Sequence, residues 1–431
     1  MKITLIIEHF DPTRGGAERF TVWLAGELAK RGHDVHVVCH DVAPIPSRID
    51  RYRQATQRAS HDARRSTTAH FSEDEAVMQG VCIHKLKGLR PTTGIGFRLF
   101  ARRVAKFLEQ HSSDISHSMT VACAGGDIYQ PHAGVYAEIQ RQAIASRRSV
   151  AASHFKRLVL RFSAKQRTLL AMERKAVRSR PNGGGPYRIL SLCSMITEHF
   201  RKHYRFGAGS PEFFELAGPL TRPLHGDPIK EQEDRGWFRS HYGLTDTDRV
   251  AVFVGHDFRR KGLRYAIEAV ARAKGWKLLI VGLGKAREYV ELANRLGIGD
   301  SDAATRRILF VGPTREMDKV YAASDALILP TFYDPFALVV LEALSHGLPV
   351  ISTEFLGTAY LVKDHGVGTI VATPREVDSM ARALESLPID RETLAPKARA
   401  AAASVLPEQY IDKLLGLYEQ VRQEKNRAKK T

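Results

Sequence analysis

Short apolar runs alternate with amphipathic stretches throughout the second half of the chain, and this rhythm restricts the fold more than any other feature of the sequence. Five runs have the length and apolar content of buried strands, at 249–255, 277–281, 307–311, 326–330 and 349–353. Strands that are apolar on both faces are typical of parallel sheets covered by helices on either side. The alternation therefore predicts a doubly wound α/β domain over 237–406.

The first half of the chain shows the same pattern less regularly. The predicted elements are strands over 2–8, 34–40 and 188–193, a helix that passes through Trp23 and ends at Gly32, and a helix over 97–110. A strand, a helix and a second strand joined by short loops predict a right-handed βαβ unit. We therefore expect a second Rossmann-like domain over 1–216, facing the first across a cleft.

Polar and glycine-rich stretches mark the boundaries of these domains. Residues 44–80 are rich in Arg, Ser, Thr and His, which predicts a mobile surface insertion. Turn residues predict a loop over 180–186. A segment dense in proline, glycine and charge over 217–236 predicts a hinge or linker. The last predicted helix, 408–427, belongs to a C-terminal segment over 407–431 that ends in a basic tail.

The charge of the chain is strongly and unevenly positive. The formal net charge is +18 and the sequence pI is near 9.8. Residues 141–180 contain twelve Lys or Arg and one acid, Glu173. The same stretch contains Phe155 and Phe162, so 134–180 is interpreted as a basic amphipathic segment. Basic and apolar residues together favour docking on an anionic lipid surface, with a solvated basic helix as the alternative.

The sequence predicts neither a membrane span nor a metal site. No apolar run reaches the roughly 18–20 residues that a spanning helix needs. The apolar start of the chain stops at Glu8, too early for a signal peptide, so we expect a cytosolic protein. Cys39, Cys82, Cys123 and Cys193 lie far apart without metal-ligand spacing, so buried reduced thiols are expected.

The most informative candidate site lies between Asp334 and Glu342. A loop over 331–335 follows a buried strand and leads into a predicted helix over 336–346. Ligands in open α/β sheets bind at the carboxyl ends of strands, where free helix N–H groups suit a phosphate. Glu342 could accept hydrogen bonds from a ribose diol. The alternative is that Asp334 only caps the helix and Glu342 is solvated.

Two further motifs lie at the ends of predicted strands. Arg260 and Lys261 follow the strand that ends at Gly255, and two cations there could hold a diphosphate. The alternative is a solvated basic turn. Gly15 and Gly16 follow the first strand and would let a ligand approach the backbone closely, or simply form a tight turn. The G-x-G-x-x-G dinucleotide fingerprint is absent.

Together these motifs resemble glycosyltransferase family 4, whose fold is called GT-B. The motifs are Gly255, the Arg-Lys-Gly of 260–262, the acid pair Asp334 and Glu342, the Gly-x-Pro-Val of 347–350, and the Gly-Gly-Ala-Glu-Arg of 15–19. The resemblance covers both halves of the chain. It implies two Rossmann-like domains and a C-terminal helix that crosses back to the first domain.

Within this family the chain is most similar to lipopolysaccharide core glucosyltransferases. Shared spacings lie at 127–129 (Asp-Ile-Tyr), 136–138 (Tyr-Ala-Glu), 172–174 (Met-Glu-Arg) and 255–262. Two positions depart from the family. Asp334 stands where Glu is usual, and Ala337 stands where Gly is usual, placing an extra methyl near the donor sugar. Both departures concern recognition of the sugar, and an inactive relative is one alternative that they leave open.

The resemblance implies roles for individual residues. Arg260 and Lys261 would hold the donor diphosphate and act in catalysis. Glu342 would bind the ribose, while Asp334 and His132 would face the donor sugar. The remaining expected donor contacts are Gly15, Gly16, Gly255, Gly312, Thr314, Phe336, Ala337, Leu338 and Val339, with Gly312 and Thr314 beside the base.

The expected reaction is the transfer of a hexose from a UDP-sugar, glucose first, with retention of configuration. The implied acceptor is a lipid-linked glycan such as lipopolysaccharide core, at the inner face of the cytoplasmic membrane. No Asp-x-Asp metal motif ends a strand, so no metal cofactor is expected. The alternatives are a sugar-nucleotide epimerase or hydrolase, and a basic nucleic-acid-binding protein. No RNP, KH or helix-turn-helix signature favours nucleic acid.

Overall fold

The computed structural model describes residues 1–42, 80–123, 126–178, 188–207, 209–221, 227–299 and 306–428. The insertion predicted over 44–80 lies, apart from Gly80, outside these residues, and so does the loop predicted over 180–186. The described residues form two α/β domains, each built on its own parallel sheet.

The first domain contains a seven-stranded parallel sheet with the order β5-β3-β1-β6-β7-β8-β9, beside a small parallel pair, β2 and β4. The strands are β1 Lys2–Ile6, β2 His9–Phe10, β3 Asp34–Cys39, β4 Asp41–Val42, β5 Val81–Lys85, β6 Ile115–Ser118, β7 Ile128–Tyr129, β8 Arg188–Ser191 and β9 Glu212–Glu215. The central strands β1 and β3 are almost wholly buried, which is why both are continuous apolar runs in the sequence.

Helices cover this sheet. They are α1 Gly16–Lys30, α2 Gly94–Gln110, α3 Tyr136–Ala145, α4 Val150–Phe162, α5 Ala164–Ala176 and α6 Ser194–His203. The basic amphipathic segment is thus three helices. It breaks at two serines whose hydroxyls cap the next helix: Ser149 accepts a hydrogen bond from the N–H of Ala152, and Ser163 accepts one from the N–H of Gln166.

The second domain contains a six-stranded parallel sheet with the order β12-β11-β10-β13-β14-β15. The strands are β10 Arg249–Val254, β11 Trp276–Val281, β12 Ile308–Gly312, β13 Ala326–Leu329, β14 Val350–Thr353 and β15 Gly368–Val371. The helices are α7 Pro228–His241, α8 Leu263–Arg272, α9 Arg287–Arg295, α10 Met317–Ala323, α11 Leu338–Ser345, α12 Ala359–His365, α13 Val377–Ser386 and α14 Ala395–Ala403. The five strands predicted here all occur, each within about one residue of its expected ends.

Two differences from the predicted boundaries concern the candidate site and the linker. Helix α11 begins at Leu338 with Ala337 as its N-cap, so Phe336 lies before the helix and does not offer a first-turn amide. Helix α7 begins at Pro228, inside the predicted linker. Asp227 caps it by accepting hydrogen bonds from the N–H groups of Ile229 and Lys230, and Pro228 fits the first turn because its nitrogen has no hydrogen to satisfy.

The last helix, α15 Pro407–Ala428, crosses back to the first domain, as predicted. Its apolar face, which includes Tyr410, Leu414 and Tyr418, is buried in the hydrophobic core formed by β1, β3 and α1. Lys425 of α15 also forms a 2.8 Å ion pair with Asp127, before β7. Among the described residues, no helix is both long enough and apolar enough to span a membrane.

Candidate functional site

The basic motif lies in the turn between β10 and α8. Gly262 caps α8 in a left-handed conformation, with φ of +79°, and a Cβ there would lie 1.9 Å from the carbonyl oxygen of Pro330. Only glycine fits that approach. The turn is thereby pressed against the end of β13, so Arg260 and Lys261 lie beside the loop that contains Asp334.

Lys261 and Asp334 form an ion pair between these two loops. Both side chains are nearly buried, 13% and 8% exposed. Burial lowers the pKa of Lys261, although the negative charge of Asp334 acts in the opposite direction. Asp334 is therefore not the helix cap considered from the sequence. Its carboxylate instead joins the two motifs that the sequence could only place on separate strands.

Arg260 fixes the same loop through its backbone and its side chain. Its guanidinium donates a 2.7 Å hydrogen bond to the carbonyl of Tyr333, and its own carbonyl accepts a 2.8 Å bond from the N–H of Phe332. The side chain of Arg260 is 39% exposed and also contacts Asp257. Arg260 is thus a solvent-accessible cation at the carboxyl end of β10, and the basic turn is packed against the Asp334 loop.

Glu342 is buried in the middle of α11 and is 5% exposed, which excludes the solvated position considered above. One carboxylate oxygen accepts a 2.9 Å hydrogen bond from the hydroxyl of Tyr321 in α10. The other accepts a 2.9 Å bond from the guanidinium of Arg19. Arg19 belongs to α1, so this ion pair crosses from the first domain to the second. Glu342 therefore lies where the two domains meet.

The glycine pair lies on the opposite side of this junction. Gly15 caps α1 in an extended conformation, and its carbonyl accepts a hydrogen bond from the N–H of Arg19. A Cβ on Gly16 would lie 3.6 Å from the side chain of Leu338, the first residue of α11. The N-terminal ends of α1 and α11 thus face each other across the cleft. This geometry suits a ligand bound between two helix N-termini.

The first domain also holds the loop before α11. The N–H of Val135 donates a 3.1 Å hydrogen bond to the hydroxyl of Tyr333, and the thiol of Cys193 lies 3.4 Å from the carbonyl oxygen of Pro335. A Cβ on Gly218 would lie 2.5 Å from the ring of Phe336. Gly218 belongs to the predicted linker, and Phe336 packs against buried residues of both domains.

His132 follows β7 and lies deep in the first domain. Its ring lies 4.6 Å from that of Phe20 in α1, and burial lowers its pKa to about 3. Its Nε2 atom is buried without a hydrogen-bond partner among the described residues. A neutral imidazole with an unused nitrogen is a candidate hydrogen-bonding group for a ligand. An imidazolium in this position would be strongly disfavoured.

The two residues expected beside the nucleotide base, Gly312 and Thr314, lie at and just after the end of β12. Gly312 has a φ of +76°, and its carbonyl accepts a 3.0 Å hydrogen bond from the N–H of Gly282, which follows β11. A Cβ on Gly282 would lie 2.0 Å from the carbonyl oxygen of Gly255. The ends of β10, β11 and β12 therefore pack together at one edge. The hydroxyl of Thr314 accepts a hydrogen bond from the N–H of Glu316.

Comparison with known proteins agrees with this arrangement. The family described as "Glycosyl transferases group 1" matches residues 235–404, nearly the whole second domain. The lipopolysaccharide glucosyltransferase WaaG of Escherichia coli (strain K12) is 27% identical over 274 residues, which cover 61% of this chain and 70% of that protein. The chain spans 38% and 53% of two further curated glycosyltransferases that it matches.

Two solved structures share the whole two-domain architecture. A crystal structure of WaaG, a glycosyltransferase involved in lipopolysaccharide biosynthesis, has a TM-score of 0.69 at 22% identity and covers 95% of this chain and 98% of its own. Anabaena HepE in complex with UDP-glucose has a TM-score of 0.61 at 17% identity and covers 99% of both chains. The chain has the GT-B fold of these glycosyltransferases, and its second domain is similar to the group 1 glycosyl transferases. Lipopolysaccharide core glucosyltransferases are among its relatives, as the sequence resemblance implied.

The three short motifs at 127–129, 136–138 and 172–174 contain buried acids that stabilise the first domain. Glu138 is fully buried, which by itself raises its pKa, but hydrogen bonds from Arg141, His203 and Gln142 outweigh burial and lower the pKa to about 2. Burial raises the pKa of Glu173 to about 7. Its carboxylate accepts hydrogen bonds from the hydroxyl of Tyr204 and the N–H of Tyr136.

The buried carboxylate of Asp127 also stabilises the first domain. It accepts hydrogen bonds from the N–H and the hydroxyl of Ser116, besides its ion pair with Lys425. In the sequence, Asp127, Glu138 and Glu173 belong to motifs noted only for their spacing. The structure places all three in the scaffold that supports the cleft.

The sequence assigned no role to three residues that shape the candidate site. Arg19 and Tyr321 are the hydrogen-bond donors to Glu342, and Tyr333 joins the Asp334 loop to the first domain. Arg19 could have been noted because it ends the Gly-Gly-Ala-Glu-Arg motif. Nothing in the sequence marks Tyr321, because an ordinary helical tyrosine is most often a core residue.

Proposed function

We propose that the chain is a retaining hexosyltransferase of glycosyltransferase family 4, which moves a hexose from a UDP-sugar to a lipid-linked glycan. Glucose is the first candidate for the sugar and lipopolysaccharide core for the acceptor. One observation carries the proposal: Glu342 is buried at the domain junction and lies on the helix that follows the Lys261–Asp334 pair. The UDP-glucose complex of HepE, a structure with the same fold, is consistent with this donor.

Each part of the donor has a matching group in the cleft. Glu342 would accept hydrogen bonds from the ribose hydroxyls. Arg260 and Lys261 would pair with the diphosphate, joined by the first-turn N–H groups of Leu338 and Val339, whose helix dipole favours an anion. Asp334 would accept hydrogen bonds from the sugar while remaining paired with Lys261. Gly16 lets the start of α1 lie close to Leu338 of α11, beside the donor.

The expected mechanism follows from where charge develops. Negative charge grows on the diphosphate as the bond to the anomeric carbon breaks, and fixed cations such as Arg260 and Lys261 would stabilise it. The carboxylate of Asp334 is already engaged by Lys261, which makes it a poor covalent nucleophile. We therefore expect the acceptor to attack on the face that the diphosphate leaves, with a phosphate oxygen taking the acceptor's proton. The anomeric configuration would be retained.

The surface of α4 supports docking on a membrane. Val150, Phe155 and Phe162 are 75%, 70% and 72% exposed, and Leu160 is the one buried residue of the helix. The helix also contains Lys156, Arg157 and Arg161. Large exposed apolar side chains among cations are typical of helices that lie in an anionic lipid interface. We propose that α4 brings the enzyme to the inner face of the cytoplasmic membrane, where a lipid-linked acceptor would be.

Calorimetric titration with UDP, GDP and ADP tests the donor site. UDP should bind more tightly than the other two nucleotides, and Glu342→Ala should weaken it by about 10- to 100-fold, because hydrogen bonds to a charged group contribute about 1.5–3 kcal/mol. Glu354→Ala is the matched control, since Glu354 is exposed and pairs with Lys363 at the surface. Equal affinity for UDP in wild type and Glu342→Ala would remove the basis of the proposal.

Product analysis separates transfer from the other reactions of sugar nucleotides. UDP-glucose should release little UDP without an acceptor, and a purified lipid-linked core acceptor should yield an α-linked product. Turnover of UDP-glucose alone would instead identify a hydrolase or epimerase. An inverted linkage would contradict the mechanism. Loss of activity in EDTA with recovery in Mg²⁺ would contradict the expectation that the reaction uses no metal.

A further inference from the structure

Two imidazoles and a thiol converge at one edge of the first domain, away from the donor cleft. His36 lies on β3, and Cys82 and His84 lie on β5, the edge strand of the seven-stranded sheet. His36 is paired with Cys82 in the parallel register, and His84 is two residues further along β5. Side chains at such positions point to the same face of a sheet. One ligand atom of each residue, an imidazole nitrogen or the thiol sulfur, lies within 4.8 Å of those of the other two.

The surroundings of His36 favour its Nδ1 atom as a metal ligand. Its Nε2 atom lies 3.1 Å from a carboxylate oxygen of Asp34, and its Nδ1 atom lies 2.7 Å from Nε2 of His84. A carboxylate that holds one nitrogen of an imidazole fixes its tautomer and leaves the other nitrogen as a lone-pair donor. This carboxylate–histidine arrangement is usual behind metal-binding histidines.

We propose that His36, Cys82 and His84 form a binding site for a divalent transition metal, with Zn²⁺ as the best match. Zn²⁺ prefers imidazole nitrogen and thiolate sulfur in tetrahedral geometry, whereas Mg²⁺ and Ca²⁺ prefer oxygen ligands. Two nitrogens bound to one Zn²⁺ lie about 3.4 Å apart at tetrahedral angles. The two nitrogen atoms would therefore separate by less than 1 Å, and the two rings, whose planes are now nearly parallel, would have to turn toward the ion.

A fourth ligand is available from either solvent or His111. The ring of His111, which follows α2, lies 6.0 Å from that of His84. Its Nδ1 atom contacts the carbonyl of Phe107 at 3.0 Å, which leaves Nε2 for a metal. Cys82 is exposed, so a metal could reach the site directly from water.

The ion would stabilise the fold and take no part in transfer. Strand β5 begins only after residues 43–80, so pairing of β5 with β3 closes a long loop of chain at an entropic cost. A metal bound by both strands would favour that pairing, because binding to the folded site adds directly to stability. This site is independent of the donor site, so its failure would leave the proposed transferase activity untouched.

Metal titration of the tag-free, chelator-treated chain tests the site. Co²⁺ should bind in one equivalent and give the near-ultraviolet charge-transfer absorption of a cobalt–thiolate bond, and Zn²⁺ should displace it. Cys82→Ser should abolish that absorption. His154→Gln, which removes an exposed histidine elsewhere, is the control for His84→Gln. Asp34→Asn should weaken Zn²⁺ binding by about 10- to 100-fold, as expected for a residue that orients a ligand.

Each outcome has a definite meaning. Tight Zn²⁺ binding that raises the melting temperature, and that Cys82→Ser and His84→Gln both weaken, supports the site. Cobalt binding without charge-transfer absorption, or equal Zn²⁺ affinity in wild type and Cys82→Ser, would overturn it. Circular dichroism of each variant confirms folding, and Cys82→Ser is a safe variant because Cys82 is exposed. Mg²⁺ should change neither the absorption nor the melting temperature.

Discussion

Removal of the Lys261 ammonium should affect both the stability of the protein and its turnover, and the two effects can be measured separately. Lys261→Ala leaves the carboxylate of Asp334, 8% exposed, without its cation. Breaking a buried ion pair by removing one partner costs about 3–5 kcal/mol, because an uncompensated charge remains. The sequence alone predicts a large loss of turnover and little loss of stability. The structure adds a loss of stability to that expectation.

The loss of stability has an upper limit that depends on pH. A stranded carboxylate can take up a proton instead of remaining charged. For an aspartate with a reference pKa near 3.9, that proton costs about 4 kcal/mol at pH 7 and about 1.5 kcal/mol at pH 5. Lys261→Ala should therefore lose about 3–4 kcal/mol at pH 7 and at most about half of that at pH 5.

Urea unfolding of four proteins checks this reasoning: wild type, Lys261→Ala, Asp334→Asn and the double variant, at both pH values. The double variant should recover most of the lost stability and none of the turnover, because no buried charge remains while the diphosphate still lacks its cation. Lys363→Ala is the control, since the Lys363–Glu354 pair is about half exposed and such pairs contribute roughly 0–1 kcal/mol. A loss below about 1 kcal/mol for Lys261→Ala, equal at both pH values, would refute the argument.

Three further predictions concern the rest of the molecule. Burial raises the pKa of Glu173 from its ordinary 4.5 to about 7, so the folded state holds an extra proton between these pH values. The free energy of unfolding should therefore fall by about 3 kcal/mol as pH rises from 4.5 through 7. Thermal melts of Glu173→Gln should show most of this pH dependence removed. His132→Gln should lower turnover without reshaping the pH–rate profile between pH 5 and 8, because burial keeps His132 neutral there; a profile limb that vanishes would contradict this. The double change Phe155→Asp with Phe162→Asp should abolish flotation with anionic vesicles while UDP affinity is unchanged, and undiminished flotation would exclude α4 as the docking face.

The second domain could be predicted from sequence because its strands are buried on both faces. Strand β13, for example, is fully buried and was expected over 326–330. In the first domain, β7 has only two residues and β9 is Glu-Phe-Phe-Glu, so neither contains an apolar run long enough to recognise. Such strands form because their neighbours in the sheet provide hydrogen-bond partners. Ile, Tyr and Phe favour strands, but two such residues in a row are too few to be recognised as a strand from the sequence.

The motifs of the site could be placed at strand ends, but their contacts could not. Arg19 and Glu342 are separated by 323 positions in sequence, and only the relative placement of the two domains brings them within 2.9 Å. The same limit applies to Cys82 and His84. Their spacing contains no metal signature until the pairing of β5 with β3 adds His36.

The two departures from the family have different consequences once the structure is considered. Ala337 is 3% exposed and packs in the hydrophobic core of the second domain, at a φ of −88° that any residue adopts. Its methyl group is therefore accommodated by the core. Asp334 differs, because its carboxylate is held by Lys261 on one side and its loop by the first domain through Tyr333 on the other. The shorter reach of Asp334 cannot be recovered by a shift of that loop. Discrimination between donor sugars should consequently depend on Asp334 far more than on Ala337.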